Sequence, residues 1–280
     1  MMSLGKSTAG RLSDISPPPA IQGCNDHSAL KPPALQVQFG PRNSGRRFDG
    51  RRSTVQGKVI IVTGALGALG RVVAETAQSR GAHIAGIDYA PSQSPPTPER
   101  IVMGGVDLSD AAQAKNAVDA AAKHFGRLDA LINIAGGFAF ETVGDGDIAT
   151  WQRMHALNVL TALSASRAAL PHLAQSKAGR IVNIGAIGAL QASSGMGPYA
   201  ASKAGVHRLT EALANEWKGK VTVNAVLPSI IDTAANRADM PKADFSKWVT
   251  PQELAEVILF LASDAASGVT GALIPVGGRV

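Results

Sequence analysis

Short apolar runs alternate with helical segments from residue 55 to the end of the chain, and this alternation limits the possible folds more than any other feature. Most of the apolar runs are continuous, which is typical of strands that are buried on both faces. Strands joined by helices through short connections form a mostly parallel sheet with helices on both faces. We therefore predict one α/β domain with a doubly wound sheet of about seven strands. The predicted strands are residues 58–62, 83–88, 101–106, 128–134, 180–184, 221–227 and 272–276, and the predicted helices are residues 68–80, 110–125, 148–175, 197–218 and 251–263.

Residues 1–54 differ in composition from the rest of the chain. They contain six of the 16 prolines and the single cysteine, and they hold 8 basic against 3 acidic residues. Residues 55–280 hold 19 basic and 18 acidic residues, so most of the net charge of +6 belongs to the first segment. Because apolar residues show no period there, we predict a disordered basic tail, residues 1–54, before a single domain, residues 55–280. A transit peptide, or a start codon placed too far upstream, would also explain this segment.

Composition and charge exclude several classes of protein. The near-neutral body lacks the basic face that a nucleic-acid-binding domain is expected to carry. The sequence has no apolar run of about 18 residues that could cross a membrane. The single cysteine, Cys24, excludes internal disulfides, and the six histidines show no ligand spacing, so we predict no metal site. We expect a cytoplasmic protein that binds neither nucleic acid nor membrane.

A glycine-rich turn, Thr-Gly-Ala-Leu-Gly-Ala-Leu-Gly from Thr63 to Gly70, lies directly between the first predicted strand and the first predicted helix. Glycines in such a turn let the backbone approach a pyrophosphate, whose charge the helix N-terminus stabilises. Asp88 follows 18 residues after Gly70, at the end of the second predicted strand, where an acid can hydrogen-bond a ribose. A carboxylate there repels a 2′-phosphate, which favours NAD(H), although NADP(H) is not excluded. The alternative is that Asp88 only caps a turn before Pro91.

Tyr199 and Lys203 stand four residues apart at the start of a predicted helix. Such a pair lies on one face of the helix, so the ammonium group can approach the phenol. A nearby cation favours the phenolate and lowers its pKa from about 10, which would make Tyr199 an acid or base near neutral pH. The only other tyrosine, Tyr89, is followed by Gln93 and lacks such a partner. The pair therefore predicts proton transfer by Tyr199.

Five motifs occur in the order and spacing of the short-chain dehydrogenase/reductase family, which the chain resembles from about residue 58 to its end. They are the glycine turn, the Asn-Ile-Ala-Gly sequence from Asn133 to Gly136, Asn158, the Tyr199 and Lys203 pair, and the segment from Pro228 to Thr233. The resemblance implies a Rossmann-type fold. It also implies an NAD(P)-dependent oxidoreductase that acts on a small-molecule substrate as a homodimer or homotetramer.

The resemblance implies roles for single residues as well. Tyr199 would donate the proton, Lys203 would also bind the nicotinamide ribose, and Asn158 would hold a water in the proton relay. Thr233 would contact the nicotinamide amide. The residues expected to hold the cofactor are Thr63, Gly64, Leu66, Gly67, Ala68, Leu69, Gly70, Asp88, Asp107, Leu108, Asn133, Ala135, Gly136, Tyr199, Lys203, Pro228, Ile231 and Thr233.

One position departs from the family pattern. The family usually has a serine 13 residues before the tyrosine, where it hydrogen-bonds the substrate carbonyl, and this chain has Ala186 there. Alanine has no hydroxyl group, and the loss of one such donor typically slows ketone reduction by about 10²–10³-fold. Ser193 or Ser194, in the next loop, could replace the missing hydroxyl.

The chain most resembles the dihydropteridine reductase branch, which also lacks that serine. The resemblance rests on the Ala-Gly-Gly sequence that begins at Ala135, on the Gly-Met sequence that ends at Met196, and on residues 227–248, which include an expected substrate lid. A conjugated C=N bond takes up hydride and proton without forming an alkoxide, so the missing hydroxyl would matter less. Asn158 departs from this branch toward the general family. The residues expected to contact the substrate are Phe138, Ala186, Met196, Ile230 and Trp248. Apart from Ala186 they could form a flat apolar pocket together with Phe140 and Phe245, although core or lid packing explains each of these side chains about as well.

These observations support three functional hypotheses. The leading one is an NAD(H)-dependent reductase of a dihydropteridine-type conjugated substrate. The first alternative is a general carbonyl or hydroxyl oxidoreductase, including 3-oxoacyl reductase-type activity. The second alternative is a nucleotide-binding protein without turnover, against which the retention of both Tyr199 and Lys203 argues.

Overall fold

The computed structural model describes residues 55–280, and the tail predicted for residues 1–54 lies outside the described residues. The strands are β1 (Val59–Thr63), β2 (His83–Ile87), β3 (Arg100–Met103), β4 (Ala130–Asn133), β5 (Gly179–Ile184), β6 (Val221–Pro228) and β7 (Leu273–Val276). They form one sheet in the order β3-β2-β1-β4-β5-β6-β7. Every neighbouring pair is parallel.

Helices cover both faces of this sheet. They are α1 (Ala68–Ser79), α2 (Ala111–Phe125), α3 (Ile148–His155), α4 (Thr161–Leu173), α5 (Gly197–Glu216), α6 (Ala234–Asp239) and α7 (Pro251–Ala262). Along β1, Ile60 and Val62 face a core that they share with α1 and α7, whereas Val59 and Ile61 face a core formed with α2, α4 and α5. Two apolar layers around continuous buried strands are what the sequence pattern requires. The prediction of a doubly wound α/β sheet of seven strands is therefore confirmed.

The structure differs from the predicted elements in one functionally relevant place. The long helix predicted for residues 148–175 consists of α3, one π-helical turn over Ala156–Leu160, and α4. Apolar periodicity does not distinguish a single π-helical turn from the helix around it, and such turns occur frequently at functional sites. Asn158 is buried inside this turn. The short helix α6 was also not predicted.

The strand order reverses between β1 and β4. From β1 the sheet grows toward β2 and β3 on one side, and it then continues from β4 on the other side. In open sheets of this kind, ligands bind at the carboxyl ends of the strands where the order reverses. Among residues 55–280, no helix is long and apolar enough to cross a membrane, and no group of three or more His, Cys, Asp or Glu side chains could hold a metal ion.

Candidate active site

A cleft of about 610 Å³ opens at the carboxyl ends of β1 and β4, where the strand order reverses. The glycine turn after β1 forms one wall, and residues 134–136 after β4 form another. Residues 88–90 and 106–109, which follow β2 and β3, complete it. The predicted cofactor residues that line the cleft are Gly64, Leu66, Gly67, Ala68, Leu69, Gly70, Asp88, Asp107, Leu108, Ala135 and Gly136.

The glycine turn is too tight for larger residues. A Cβ atom on Gly70 would lie 2.0 Å from the carbonyl oxygen of Gly64, so no side chain fits there without moving the turn. Gly64 itself has a φ of 65°, a conformation that favours glycine. The helix α1 begins after Gly67 with no side-chain cap and no acidic residue in its first turn. The N–H groups of such a helix start are available to an anionic ligand, which fits the pyrophosphate of a dinucleotide.

Two main-chain groups hold the carboxylate of Asp88 beside this turn. The N–H of Leu66 donates to Oδ2 at 2.8 Å, and the N–H of Ala90 donates to Oδ1 at 2.9 Å. Asp88 therefore closes a local turn and also lines the cleft, whereas the hydrogen bond to a ribose expected from the sequence stays a prediction. Of the described residues that line the cleft, Asp88 and Asp107 are acidic and none is a lysine or arginine. This part of the cleft thus has a negative charge.

Two of the predicted cofactor residues lie beneath the cleft and do not line it. The hydroxyl of Thr63 accepts hydrogen bonds from the N–H groups of Ile134 and Ala135 at 3.0 and 3.1 Å. The side-chain amide of Asn133 donates to Oδ1 of Asn183 on the neighbouring strand at 2.8 Å. Both side chains are almost completely buried. They hold the turn after β4 against β1 and β5, and so shape the floor of the cleft.

Tyr199 and Lys203 lie one turn apart on one face of α5. Lys203 is buried, and its Nζ donates to the carbonyl oxygen of Ile184, the last residue of β5, at 2.9 Å. A Cβ atom on Gly136, which lines the cleft, would lie 3.5 Å from that Nζ. The ring of Tyr199 meets the ring of Phe138 edge to face, with the centroids 5.0 Å apart. The structure thus brings Lys203 to the inner end of the cofactor cleft and Tyr199 one helical turn away.

Burial dominates the protonation of this pair. It raises the pKa of Tyr199 to about 12 and lowers the pKa of Lys203 to about 8. The expected lowering of the tyrosine pKa by the nearby cation is therefore not found. Burial is the cause, because removing water from the phenol disfavours its charged form. Near pH 7 both groups hold their protons, so the phenol is a proton donor.

The side chain of Asn158 joins the cleft to the helix that carries Tyr199. Its amide group donates to the carbonyl oxygen of Gly137 at 3.0 Å and to the hydroxyl of Ser202 at 2.9 Å, while its Oδ1 accepts from the N–H of Gly137 at 3.0 Å. Ser202 in turn donates to the carbonyl oxygen of Tyr199 at 2.7 Å. The side chain is thus engaged within the protein. The water that the resemblance assigns to Asn158 stays a prediction.

At the end of β5, the position that usually carries the serine presents a methyl group. Ala186 follows β5 and is only 5% exposed. Ser193 and Ser194 lie in the loop before α5, and both are exposed. Ala186 is thus buried, whereas the two candidate serines lie at the surface.

Exposed aromatic residues follow β4 on the side of Tyr199. Phe138 and Phe140 are 57% and 68% exposed. The ring of Phe140 lies so close to Gly195 that a Cβ atom there would be 2.2 Å away, and Met196 is the next residue. Phe138 and Met196, both predicted to contact substrate, therefore lie in two neighbouring loops close to Tyr199.

The segment after β6 is tied down by its own contacts. Ile230 accepts a hydrogen bond from the N–H of Val249 at 3.1 Å, and Arg237 binds both carboxylate oxygens of Asp232 at 2.6 and 2.7 Å. Trp248 is only 3% exposed and packs on Phe245, so its ring offers little surface to a substrate, in contrast to the prediction. The predicted cofactor residues Pro228, Ile231 and Thr233 lie at the end of β6 and in this segment, and they are not among those that line the cleft.

Sequence analysis missed several residues of the cleft wall. Most of them lie next to a predicted residue at a strand end, and this position in the sequence was the signal that could have found them. Leu157 and Thr161 are different, since they come from the π-helical turn and the start of α4, whose position the sequence pattern does not give. The missed residues are Tyr89, Ala90, Val106, Ser109, Ile134, Leu157 and Thr161.

Comparison with known sequences gives a match over most of the described chain. The sequence profile of the short chain dehydrogenase family matches residues 58–244. The 2-(S)-hydroxypropyl-CoM dehydrogenase 3 of Xanthobacter autotrophicus is 32% identical over 246 residues, which cover 80% of this chain and 96% of that protein. A 3-oxoacyl-acyl-carrier-protein reductase of Thermotoga maritima is 29% identical over 240 residues, covering 80% of this chain and 98% of the relative.

Solved structures match the fold over a similar share of the chain. The ligand-free aldohexose dehydrogenase of Thermoplasma acidophilum superposes with a TM-score of 0.73 and 27% identity, covering 81% of this chain and 95% of that one. Carveol dehydrogenase of Mycobacterium avium, solved in complex with NAD, gives a TM-score of 0.71 and 29% identity, covering 81% and 98%.

Proposed function

The chain belongs to the short-chain dehydrogenase family and is an oxidoreductase of that family, and on this basis we propose that it is an NAD(H)-dependent enzyme that interconverts a hydroxyl and a carbonyl group in a small molecule. The observation that carries the proposal is the position of Lys203 beside Gly136 at the inner end of the cleft, with Tyr199 one helical turn away. A proton donor in this place can act on a substrate atom beside the nicotinamide.

The protein's own residues would move and hold the proton. The bound cofactor supplies or accepts a hydride. Tyr199, whose pKa burial raises to about 12, donates its proton to the substrate oxygen in the direction of reduction. Lys203, held by Ile184, supplies a positive charge that stabilises the phenolate left behind. The Asn158 side chain fixes the distance between the cleft and α5 through Gly137 and Ser202.

The preference for NAD(H) is argued from the charges of the cleft. The glycine turn and the uncapped start of α1 would bind the pyrophosphate. Asp88 would accept a hydrogen bond from the adenosine ribose, because each of its oxygens has a second lone pair besides the one used by the main chain. A 2′-phosphate would meet this carboxylate with no lysine or arginine among the described residues that line the cleft. NADP(H) would therefore bind less well.

The names of the relatives support a carbon–oxygen substrate. They are those of a hydroxypropyl-CoM dehydrogenase, a 3-oxoacyl reductase, D-threitol dehydrogenase and meso-2,3-butanediol dehydrogenase. They favour a general carbonyl or hydroxyl oxidoreductase over a dihydropteridine-specific enzyme. With Ala186 at the usual serine position, such an enzyme needs another donor for the substrate oxygen. Ser193 and Ser194 are the candidates that the sequence offers.

A second candidate function is reduction of a dihydropteridine-type conjugated substrate. The observation that favours it is Ala186 itself, since a conjugated C=N bond does not form an alkoxide and needs no donor there. The exposed rings of Phe138 and Phe140 give a planar substrate an apolar surface near Tyr199. Turnover of a dihydropteridine and not of ketones would establish this second candidate.

The test is NADH oxidation against a panel that contains 3-oxo esters, small diketones, quinones and quinonoid dihydropterin. We expect turnover of a carbonyl member, and we expect Ala186→Ser to raise its rate because the new hydroxyl restores a donor to the substrate oxygen. The control is Ala189→Ser, three residues along in the same 3₁₀ turn, which should leave the rate unchanged. Binding of NADH with no turnover on any member would contradict the proposal and favour a nucleotide-binding protein.

We also propose that the enzyme is a homodimer or a homotetramer, as the family resemblance implies. Light scattering after size-exclusion chromatography distinguishes these states from each other and from a monomer. A monomeric mass at micromolar concentration would contradict this part of the proposal.

A further inference from the structure

A buried histidine holds the end of β5 together with Lys203. His207 lies one helical turn beyond Lys203 on α5 and is 2% exposed. The main-chain N–H of Ala186 donates to His207 Nε2 at 3.3 Å, and Lys203 Nζ donates to the carbonyl oxygen of Ile184 at 2.9 Å. Between them, the N–H of Gly185 donates to a carbonyl oxygen of β6 at 2.9 Å. Three successive residues are thus fixed, two of them by α5.

The imidazole of His207 explains the glycine at position 185. A Cβ atom on Gly185 would lie 2.5 Å from Nε2 and 2.7 Å from Cδ2 of His207. Gly185 is not among the glycines with a positive φ, so its backbone conformation does not require glycine. What requires it most is the ring of His207, and the next neighbour of the added Cβ atom is Cδ1 of Leu227 at 3.1 Å. The absence of a side chain at Gly185 and the position of the buried His207 ring therefore depend on each other, directly before Ala186.

The hydrogen bond requires a neutral ring. Nε2 accepts a hydrogen bond from the N–H of Ala186, so the proton of the neutral ring must lie on Nδ1. Burial, and after it the positive charges of Arg208 and Lys203, lower the pKa of His207, which keeps the ring neutral near pH 7. A neutral ring also adds no second buried positive charge beside the ammonium of Lys203.

We propose that His207 is a positioning residue of the active site. It fixes the main chain at Gly185 and Ala186, and with it the carbonyl group of Ile184 that anchors Lys203. Without an acceptor at Nε2, the buried N–H of Ala186 would lose its partner, and the strand end would shift to find another one. This inference rests on the proposed function, because it concerns the residues that hold Lys203 beside the cleft.

A stability cycle tests the contact without any need for turnover. Gly185→Ala should lower the melting temperature strongly in the wild-type background, and clearly less in a His207→Ala background, where the ring no longer occupies the space. Gly188→Ala is the matched control, because a Cβ atom there would meet only a methionine carbon at an ordinary 3.7 Å. Equal losses from Gly185→Ala in both backgrounds would overturn the contact and the proposal with it.

Turnover tests the positioning role. His207→Gln keeps an acceptor at the ε position, whereas His207→Leu keeps a similar bulk without one. We expect His207→Leu to lower kcat by about tenfold, with KM for NADH and for the substrate changed less than about twofold, because misplacement of a proton-transfer group acts on the rate. His207→Gln should restore kcat to within about threefold of the wild type. If His207→Leu does not fold, His207→Asn, whose amide is one carbon too short, takes its place.

The outcomes separate this inference from the proposed function. A wild-type kcat in His207→Leu, or an equally low kcat in His207→Gln, would overturn the positioning role while the proposed function stands. A wild-type chain that turns over no member of the panel would overturn both the function and the positioning role. In that case, relief of the Gly185→Ala loss in the His207→Ala background would still establish the contact.

Discussion

The proposed cofactor side and the proposed substrate side of the site are fixed by different kinds of contact. On the cofactor side, the main chain determines the shape, through the close approach of Gly70 to Gly64 and the two N–H groups that hold Asp88. On the substrate side, exposed side chains such as Phe138 and Phe140 form the surface. A shape made by the main chain leaves little freedom for substitution. A surface made by exposed side chains can change without disturbing the fold.

Because of this difference, we expect cofactor binding and substrate turnover to respond differently to substitution. Changes on the cofactor side should lower stability and cofactor affinity together. Changes on the substrate side should alter turnover and substrate choice at nearly constant stability. Tyr199, Lys203 and Asn158 lie between the two sides. Lys203 joins α5 to the end of β5, and Asn158 joins Gly137 to Ser202 on α5, the helix that also carries Tyr199.

The largest expected effect is that of Tyr199→Phe, which removes the proton donor between the two sides. Turnover should fall by about 10²–10⁴-fold, since general acid catalysis contributes about this much. The affinity for NADH, measured by fluorescence titration, should change less than about twofold. The melting temperature serves as the folding control, because the phenyl ring retains its contact with Phe138. Undiminished turnover would remove Tyr199 from the mechanism.

The second effect concerns the main-chain shape of the cofactor side. Gly70→Ala should lower the free energy of unfolding by about 2–3 kcal/mol, because its Cβ atom would lie 2.0 Å from a main-chain oxygen. NADH binding should weaken in parallel. Gly268→Ala is the control, since no atom lies within 4 Å of its added Cβ atom. Denaturant unfolding of both variants measures the difference, and equal stability of the two would contradict the distinction between the sides.

The sequence predicted the cofactor side better than the substrate side for the same physical reason. Glycines at a strand end and an acid after the next strand are local signals, and the cleft wall formed around them as expected. Trp248 was expected to face the substrate but is only 3% exposed, and the sequence pattern does not show how far the folded chain covers a tryptophan. The raised pKa of Tyr199 also follows from burial, which no spacing of residues reveals.

The contacts of Asn158 and His207 show a further limit. The sequence pointed to Asn158 through a family resemblance, and the structure adds that its side chain is bound to Gly137 and Ser202. His207 gave no signal, because its meaning depends on the absence of a side chain at Gly185, 22 residues earlier in the chain. Such pairs become visible only when both positions are known in space.

The third effect is a pH dependence of the reduction rate. The phenol of Tyr199 keeps its proton up to about pH 12, whereas Lys203 loses its proton near pH 8. Because the positive charge of Lys203 stabilises the phenolate, the rate should be constant from pH 6 to pH 7 and about tenfold lower at pH 9. The pH profile of kcat/KM for reduction measures this. A profile that stays constant to pH 10 would show that the ammonium is not needed in its charged form.

The smallest expected effect is a change of cofactor preference in Asp88→Asn. The amide removes the negative charge but keeps an oxygen that can accept a hydrogen bond from one of the two main-chain N–H groups. The glycine turn should therefore keep its conformation. A unit charge about 4 Å from a phosphate in a water-like medium contributes about 1 kcal/mol, so the ratio of NADPH to NADH affinity should rise by about fivefold. Asp107→Asn is the control, because it removes the other acidic charge of the cleft wall. If both variants shift the ratio equally, the cleft distinguishes NADH from NADPH by its overall charge and not by Asp88. A preference of the wild-type protein for NADPH would contradict the assignment of Asp88 altogether.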